Sequence, residues 1–358
     1  MSAYTLRQSF SILYVAYPLL AVSEESAGGA EQILFTLERE MAAAGHRTTV
    51  AACNWSRVRG RLLPTGEPAG SQDRYEQREH EQASRILGYL ASHPHEFDLI
   101  HDHSGSFFCH AAQCPAPVLA TLHLPRSFYR EKWLRRPASN LSFNCVSQLQ
   151  AHTFADLRSL PGVVQNGIAV ERFRFTWPKR DYLLWMGRIC EEKAPHLAIA
   201  AARLVSSKLI VAGQVYPFRY HQQFFEREIR PQLGRAVEFV NSPSFRDKVE
   251  LLRNARALLL TSTAEETSSL VAMEAMACGT PVVAMRRGAF PEIVSHGETG
   301  FVVDGIAEMA AAVARLGEIS PESCRMRVEE LFSAGRMSAD YEAFYRDLFS
   351  TGVGGIAA

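Results

Sequence analysis

The sequence predicts two α/β domains, each a doubly wound parallel sheet, on three observations. Short apolar runs of strand length alternate with amphipathic stretches along the chain. The alternation breaks between Asn166 and Lys179, where Asn-Gly, Trp177 and Pro178 interrupt it. At 358 residues the chain is too long for one ordinary core and suits two.

The first half opens with a strand over Phe10–Tyr17. Gly28-Gly29 then leads into a helix through Ile33, Leu34, Leu37 and Met41, which Gly45 stops before a strand over Arg47–Ala52. Ser56–Gln72, rich in Arg, Pro and Gly, reads as a mobile surface loop. Phe97–His101 and Val118–Leu122 read as further parallel strands, closed by His101 and His123, with Phe143–Val146 and Gly162–Val164 after them. In the second half the strands are Tyr182–Met186, Leu209–Ala212, Val237–Val240, Ala257–Leu260 and Pro281–Ala284. Helices over Ala194–Val205, Gln222–Gln232, Arg246–Asn254 and Leu270–Ala277 separate them. A last helix, Ser338–Leu348, carries Tyr341, Phe344, Tyr345 and Leu348 at helical spacing, and by itself reads as packing on its own domain.

Composition excludes several classes. Lys+Arg and Asp+Glu both number 38, so no global field points to nucleic acid, and any anion site is local. The seven cysteines lack paired or C-x-x-C spacing, which predicts reduced thiols in a cytoplasmic protein and neither a metal nor disulfides. The apolar stretch from Phe10 to Leu20 lacks a basic flank and reads as a buried first strand, not a signal peptide. No run approaches the roughly 20 apolar residues of a membrane span.

In an open parallel sheet, ligands sit beyond the carboxyl ends of strands. After Tyr182–Met186 come Gly187, Arg188 and Lys193; after Ala257–Leu260 come Thr261–Thr263 and Glu265-Glu266. A guanidinium fork and an ammonium at one edge suit a diphosphate, although a solvated loop paired with Glu191 and Glu192 would look the same. Glu266 and Glu274 stand seven residues apart across a helix start near Ser268, Ser269, Leu270 and Val271, whose N–H groups would face an anion. Glu274, one turn deeper than Leu270, is placed to accept ribose hydroxyls, and Glu266 to reach the sugar beyond the phosphates. The competing reading is an amphipathic helix with an edge glutamate.

The run Glu266-Thr-Ser-Ser-Leu-Val-Ala-Met-Glu274-Ala-Met-Ala-Cys-Gly-Thr-Pro-Val-Val-Ala284 resembles the Glu-x7-Glu signature of retaining glycosyltransferase family 4. Gly187–Lys193 resembles that family's phosphate-binding segment, Pro291–Val294 with Gly297–Phe301 the stretch that follows, Asn166-Gly167 the turn into the second domain, and Gly28-Gly29-Ala-Glu31 the N-terminal glycine loop. The resemblance implies the GT-B architecture: two Rossmann-like domains facing across a cleft, divided as 1–165 and 166–335, with 336–358 crossing back to the first. It implies no metal or cofactor, and a nucleotide-sugar donor, UDP-sugar first, as co-substrate. Arg188 and Lys193 would neutralise the leaving diphosphate. Glu274 would hold the ribose and Glu266 the donor sugar. Val240 and Asn241 would meet the base, and His123 would lie near the transferred sugar. Gly28 and Gly29 would let backbone approach the donor phosphates or the acceptor. Where many members carry Gly-Phe-Gly after the first Glu, this chain has Thr267-Ser268-Ser269, which leaves the donor sugar open.

His101-Asp102-His103 has no third ligand pattern, so His103 and Ser104 are read as acceptor-side residues. From Arg126 to Arg136 five cations, Arg126 and Arg135 among them, mix with three aromatics. That composition reads as a solvated loop or as a platform for an anionic acceptor or lipid headgroup. The expected partners are a donor and a hydroxyl-bearing acceptor, with a membrane touched peripherally at most. The competing functions are a sugar-nucleotide epimerase, a glycan phosphorylase, and a non-catalytic sugar-nucleotide-binding subunit.

Overall fold

The computed structural model describes residues 9–69, 74–157 and 161–350. The chain forms two compact units, Met1–Gly167 with Ala334–Ala358, and Ile168–Ser333.

In the first unit the strands are β1 (Ser11–Val15), β2 (Arg47–Ala52), β3 (Arg61–Pro64), β4 (Leu99–Asp102), β5 (Val118–Leu122), β6 (Leu141–Cys145) and β7 (Gly162–Val163). They form one sheet in the order β3-β2-β1-β4-β5-β6-β7, and every pairing is parallel. Helices α1 (Gly29–Ala43), α2 (Tyr75–Ser92), α3 (Glu131–Arg135) and α4 (Gln148–His152) connect them. The sheet's order reverses between β1 and β4, so the loops that follow those two strands share the edge where ligands of open sheets bind.

Arg61–Pro64 corrects the reading of Ser56–Gln72 as a loop. It pairs with β2 as an edge strand, its side chains exposed or half-buried, so it carries no apolar run to mark it. The buried Glu38 carboxylate leads the chain into it, accepting the N–H groups of Arg59 at 2.9 Å and Gly60 at 2.7 Å and the Thr48 hydroxyl at 2.6 Å. Residues 70–72 of that stretch lie outside the described residues.

The second unit has β8 (Leu183–Met186), β9 (Leu209–Gly213), β10 (Val237–Asn241), β11 (Ala257–Leu260), β12 (Val282–Met285) and β13 (Gly300–Val303), all parallel, in the order β10-β9-β8-β11-β12-β13. Its helices are α5 (Pro195–Leu204), α6 (Arg219–Phe224), α7 (Phe245–Asn254), α8 (Leu270–Ala277), α9 (Phe290–Ile293), α10 (Ile306–Ala314) and α11 (Pro321–Leu331). The helix expected over Gln222–Gln232 is three pieces: α6, a π turn over Phe225–Ile229, and a 3-10 turn over Arg230–Gln232 that contains Pro231. Order reverses between β8 and β11, whose central strands are almost wholly buried.

The last helix, α12 (Ala334–Ser350), belongs to the first unit and not, as its spacing alone suggests, to the second. It packs on α1, with Tyr341 and Tyr345 fully buried and Phe349 stacked on Phe10 at 5.4 Å. Arg336 ties its start to the carbonyls of Gln165 (2.7 Å) and Asn166 (3.0 Å). Among the described residues no helix is long and apolar enough to cross a membrane.

Candidate functional site

The second unit gathers its chemistry past the ends of β8 and β11. Thr263 N–H donates to the Glu192 carbonyl at 2.9 Å and the Thr261 hydroxyl to the Ala194 carbonyl at 2.7 Å, so the end of β11 holds the loop that carries Arg188 and Lys193. That loop delivers Lys193 Nζ to Glu266, 2.5 Å from Oε1 and 2.7 Å from Oε2, with Ser262 Oγ also 2.5 Å from Oε1. Gly288 fixes the Glu266 backbone. At φ +49 it comes so close that a Cβ there would lie 2.0 Å from the Glu266 carbonyl oxygen, and the next residue, Ala289, donates to that oxygen at 2.6 Å.

Arg188 follows Gly187, and among the described residues no hydrogen bond joins it to the Lys193–Glu266 pair. Its guanidinium sits 5.7 Å from the Tyr216 ring centroid. The ends of β8, β9 and β10 are drawn level by close backbone packing: a Cβ on Gly213 would fall 1.8 Å from the Gly187 carbonyl, and Gly213 is in register with Asn241. Asn241 is exposed and Val240 half-buried at that edge.

Helix α8 starts at Leu270 as the sequence predicts. Its N-cap, Ser269, makes no side-chain cap, and the Ser268 hydroxyl is buried without a protein partner. The N–H groups of a helix's first turn have no intrahelical acceptor, so an uncapped start of this kind offers donors to an anion. Leu270 and Val271 form that turn. One turn on, the buried Glu274 accepts from Lys248 Nζ of α7 at 2.6 Å, while Lys248 lies 5.2 Å and 5.8 Å from the rings of Phe245 and Phe173. The two glutamates therefore have different cations. Lys248 and Gly288 were missed by sequence reasoning, because neither stands in a motif and each acquires its place only through packing.

In the first unit the strand-end histidines form a chain. His101 Nε2 lies 2.7 Å from Thr121 Oγ1, and His101 Nδ1 lies 2.7 Å from the Tyr345 hydroxyl and 3.3 Å from His103 Nε2. His103 Nδ1 in turn lies 2.8 Å from His123 Nε2. Burial disfavours the charged form of all three, pushing His123 down to about 4 and the other two well below their ordinary value. Proton positions follow from the far end. Thr121 donates to Asn144 Oδ1 at 2.7 Å, so it accepts from His101 Nε2–H. His101 Nδ1 is then an acceptor, and its one lone pair takes the hydrogen bond of the Tyr345 hydroxyl at 2.7 Å. His103 Nδ1 and His123 Nε2 share one proton in the hydrogen bond between them, one ring donating and the other accepting.

Ser104 is occupied with its own loop: its hydroxyl accepts the N–H groups of Phe107 (3.0 Å) and Ser106 (3.3 Å). Buried Asp102 accepts those of Ser104 and Phe108, both at 2.7 Å, and burial pushes it up to about 6. Arg126 pairs with Glu131 at 2.8 Å and with Asp156, and Arg135 reaches the same two carboxylates at 3.1 and 3.6 Å. Much of that stretch's charge is thus matched locally. Gly28 is the N-cap of α1 and Gly29 its first residue; the buried Glu31 carboxylate packs so tightly on Gly28 that a Cβ would meet Oε2 at 1.9 Å. Among the described residues one group could hold a metal ion: Cys190, Glu192 and His221, with ligand atoms within 4.8 Å of one another.

Two all-parallel sheets, each reversing order at its centre, define a protein of the two-Rossmann class. The family profile "Glycosyltransferase Family 4" matches residues 27–172, and "Glycosyl transferases group 1" matches residues 180–318. The chain belongs to the family-4 glycosyltransferases, and its fold is of the GT-B type. It is 35% identical over 107 residues to N-acetyl-alpha-D-glucosaminyl L-malate synthase of Bacillus anthracis, which is 28% of each chain. It is 32% identical over 183 residues to D-inositol 3-phosphate glycosyltransferase of Mycobacterium sp. (strain KMS), 46% of this chain and 42% of that one. These alignments span less than half the length of either relative. Sucrose-phosphate synthase of Thermosynechococcus elongatus shares the fold with a TM-score of 0.80 at 20% identity, covering 96% of this chain and 100% of that one.

Proposed function

We propose that this chain is a retaining glycosyltransferase that moves a sugar from a nucleoside diphosphate donor, UDP-sugar first, to an acceptor hydroxyl. The observation that carries the reading is the Lys193–Glu266 pair at the ends of β8 and β11, in the same segment as the uncapped start of α8. Lys193 and Arg188 stabilise negative charge on the departing diphosphate, the N–H groups of Leu270 and Val271 and the Ser268 and Ser269 hydroxyls bind its phosphate, Glu274 holds the ribose, and Glu266 orients sugar hydroxyls. Val240 and Asn241 serve the base. The acceptor oxygen forms the new bond to the anomeric carbon on the face from which the phosphate leaves; the C–O bond to phosphate breaks, and the acceptor proton passes to a phosphate oxygen. His123 is assigned to a hydroxyl of the transferred sugar. The acceptors in the relatives' names, L-malate and D-inositol 3-phosphate, are small anions with hydroxyls, which favours an acceptor of that kind.

Thermal shift with UDP-, GDP-, ADP- and dTDP-sugars identifies the donor, since a ligand of the native state raises Tm. Nucleoside diphosphate released only when acceptor is added, with an anomeric configuration unchanged by NMR, is the expected result. Donor binding without turnover across a broad acceptor panel would refute transfer and point to a binding subunit. Glu274→Ala weakens donor binding, and Glu266→Ala cuts turnover more than nucleotide affinity. Full activity in both variants would overturn the site assignment.

A further inference from the structure

A second constellation, which the proposed transfer does not use, forms where the loop after β8 meets α6. Cys190 and His221 are buried, Glu192 is exposed, and one ligand atom from each lies within 4.8 Å of the others. His221 stands in the first turn of α6, 31 positions from Cys190 in sequence, so the fold and not the local chain brings them together. Both His221 ring nitrogens are buried and neither has a hydrogen-bond partner. A buried imidazole with two unmet nitrogens is an unusual feature in a well-packed unit. Its plane is set by aromatic neighbours, with the rings of Tyr220, Phe218 and Tyr216 centred 4.1, 5.2 and 5.9 Å away.

We propose that Cys190, Glu192 and His221 form a binding site for one zinc ion. A sulfur, an imidazole nitrogen and a carboxylate oxygen are the donor set zinc takes, and the sulfur disfavours magnesium and calcium, which take oxygen. On binding, the Cys190 S–H bond breaks, a sulfur–zinc bond forms, and the proton goes to solvent. The thiolate and the Glu192 carboxylate together balance the ion's two charges, which matters beside the Arg188 guanidinium. Exposed Glu192 leaves the fourth position to water. Occupancy ties the loop carrying Arg188 and Lys193 to the start of α6.

The site is tested with Zn²⁺ alone on the full chain after chelator treatment. Calorimetry should give one ion per chain, with affinity at least tenfold lower in Cys190→Ser and in His221→Ala. Co²⁺ in place of Zn²⁺ should show thiolate-to-metal charge-transfer absorption that Cys190→Ser abolishes. Glu192→Gln changes an exposed residue and serves if the buried variants do not fold; it should weaken binding too. Absence of saturable binding, or binding of equal strength in the wild type and Glu192→Gln with no charge-transfer band, would overturn the proposal. Neither outcome bears on donor binding, which is read separately.

Discussion

Glu31→Gln should leave the protein more stable than the wild type at pH 8, and the gain should vanish near pH 4. Glu31 is the third residue of α1 and is buried, its carboxyl packed on Gly28. A helix N-terminus favours a carboxylate, and the residue's own N–H acts in that direction, but burial dominates and raises its pKa from 4.5 to about 7. The unfolded chain therefore releases this proton earlier than the native one. Between about 4.5 and 7 the native state holds more protons, so stability falls as pH rises through that window and levels off above it. At 1.36 kcal/mol per unit, the loss is about 3 kcal/mol. Glutamine keeps the shape and removes the titration, so the wild-type and variant curves should diverge by that amount. Urea denaturation followed across pH 4 to 8 gives the difference directly, with other titrating groups such as Asp102 cancelling. Parallel curves would show that Glu31 ionises freely in the folded state and refute the argument.

Lys248→Met leaves the buried Glu274 without its cation, and should lower stability by about 2–3 kcal/mol while weakening donor binding in calorimetry. Gly288→Ala drives a Cβ into the Glu266 backbone at a left-handed φ; a loss of about 1–3 kcal/mol in urea melts, with reduced kcat, is expected. His103→Leu removes the hydrogen-bond partner of His123 Nε2 and should shift the His123 tautomer, whereas His103→Asn, which can donate or accept, should preserve a bond there. Nitrogen-15 NMR of histidine-labelled protein reads the tautomer, and an unchanged His123 signal in His103→Leu would break the chain of reasoning.

Strands buried on both faces are legible because they must be nearly continuous apolar runs. Val118–Leu122 and Ala257–Leu260 are therefore read to the residue, as is α8, bounded by serines and Gly279. Elements that are half exposed are not. Arg61–Pro64 is an edge strand with no apolar run, and α2 buries only Gln82, Ala83, Ile86 and Leu90 of its 18 residues. Gly300–Val303 is recognisable only as a motif, and becomes a strand by pairing with β12.

For the candidate site, the chain alone determined local placement: Arg188, Lys193, Glu266, Glu274 and the strand-end histidines stand past strand ends or at a helix start, as the local patterns predict. Partnership was decided elsewhere. Lys193 meets Glu266 across 73 positions and Lys248 meets Glu274 across 26, because parallel β8 and β11 end at one edge and α7 packs beside α8. His101 likewise draws its proton position from Thr121, Asn144 and Tyr345, the last of them 244 positions away. Periodicity and spacing report what one segment does. Which charge neutralises which, and where a proton rests, depends on distances of a few ångströms between segments, and those exist only once the sheets have formed.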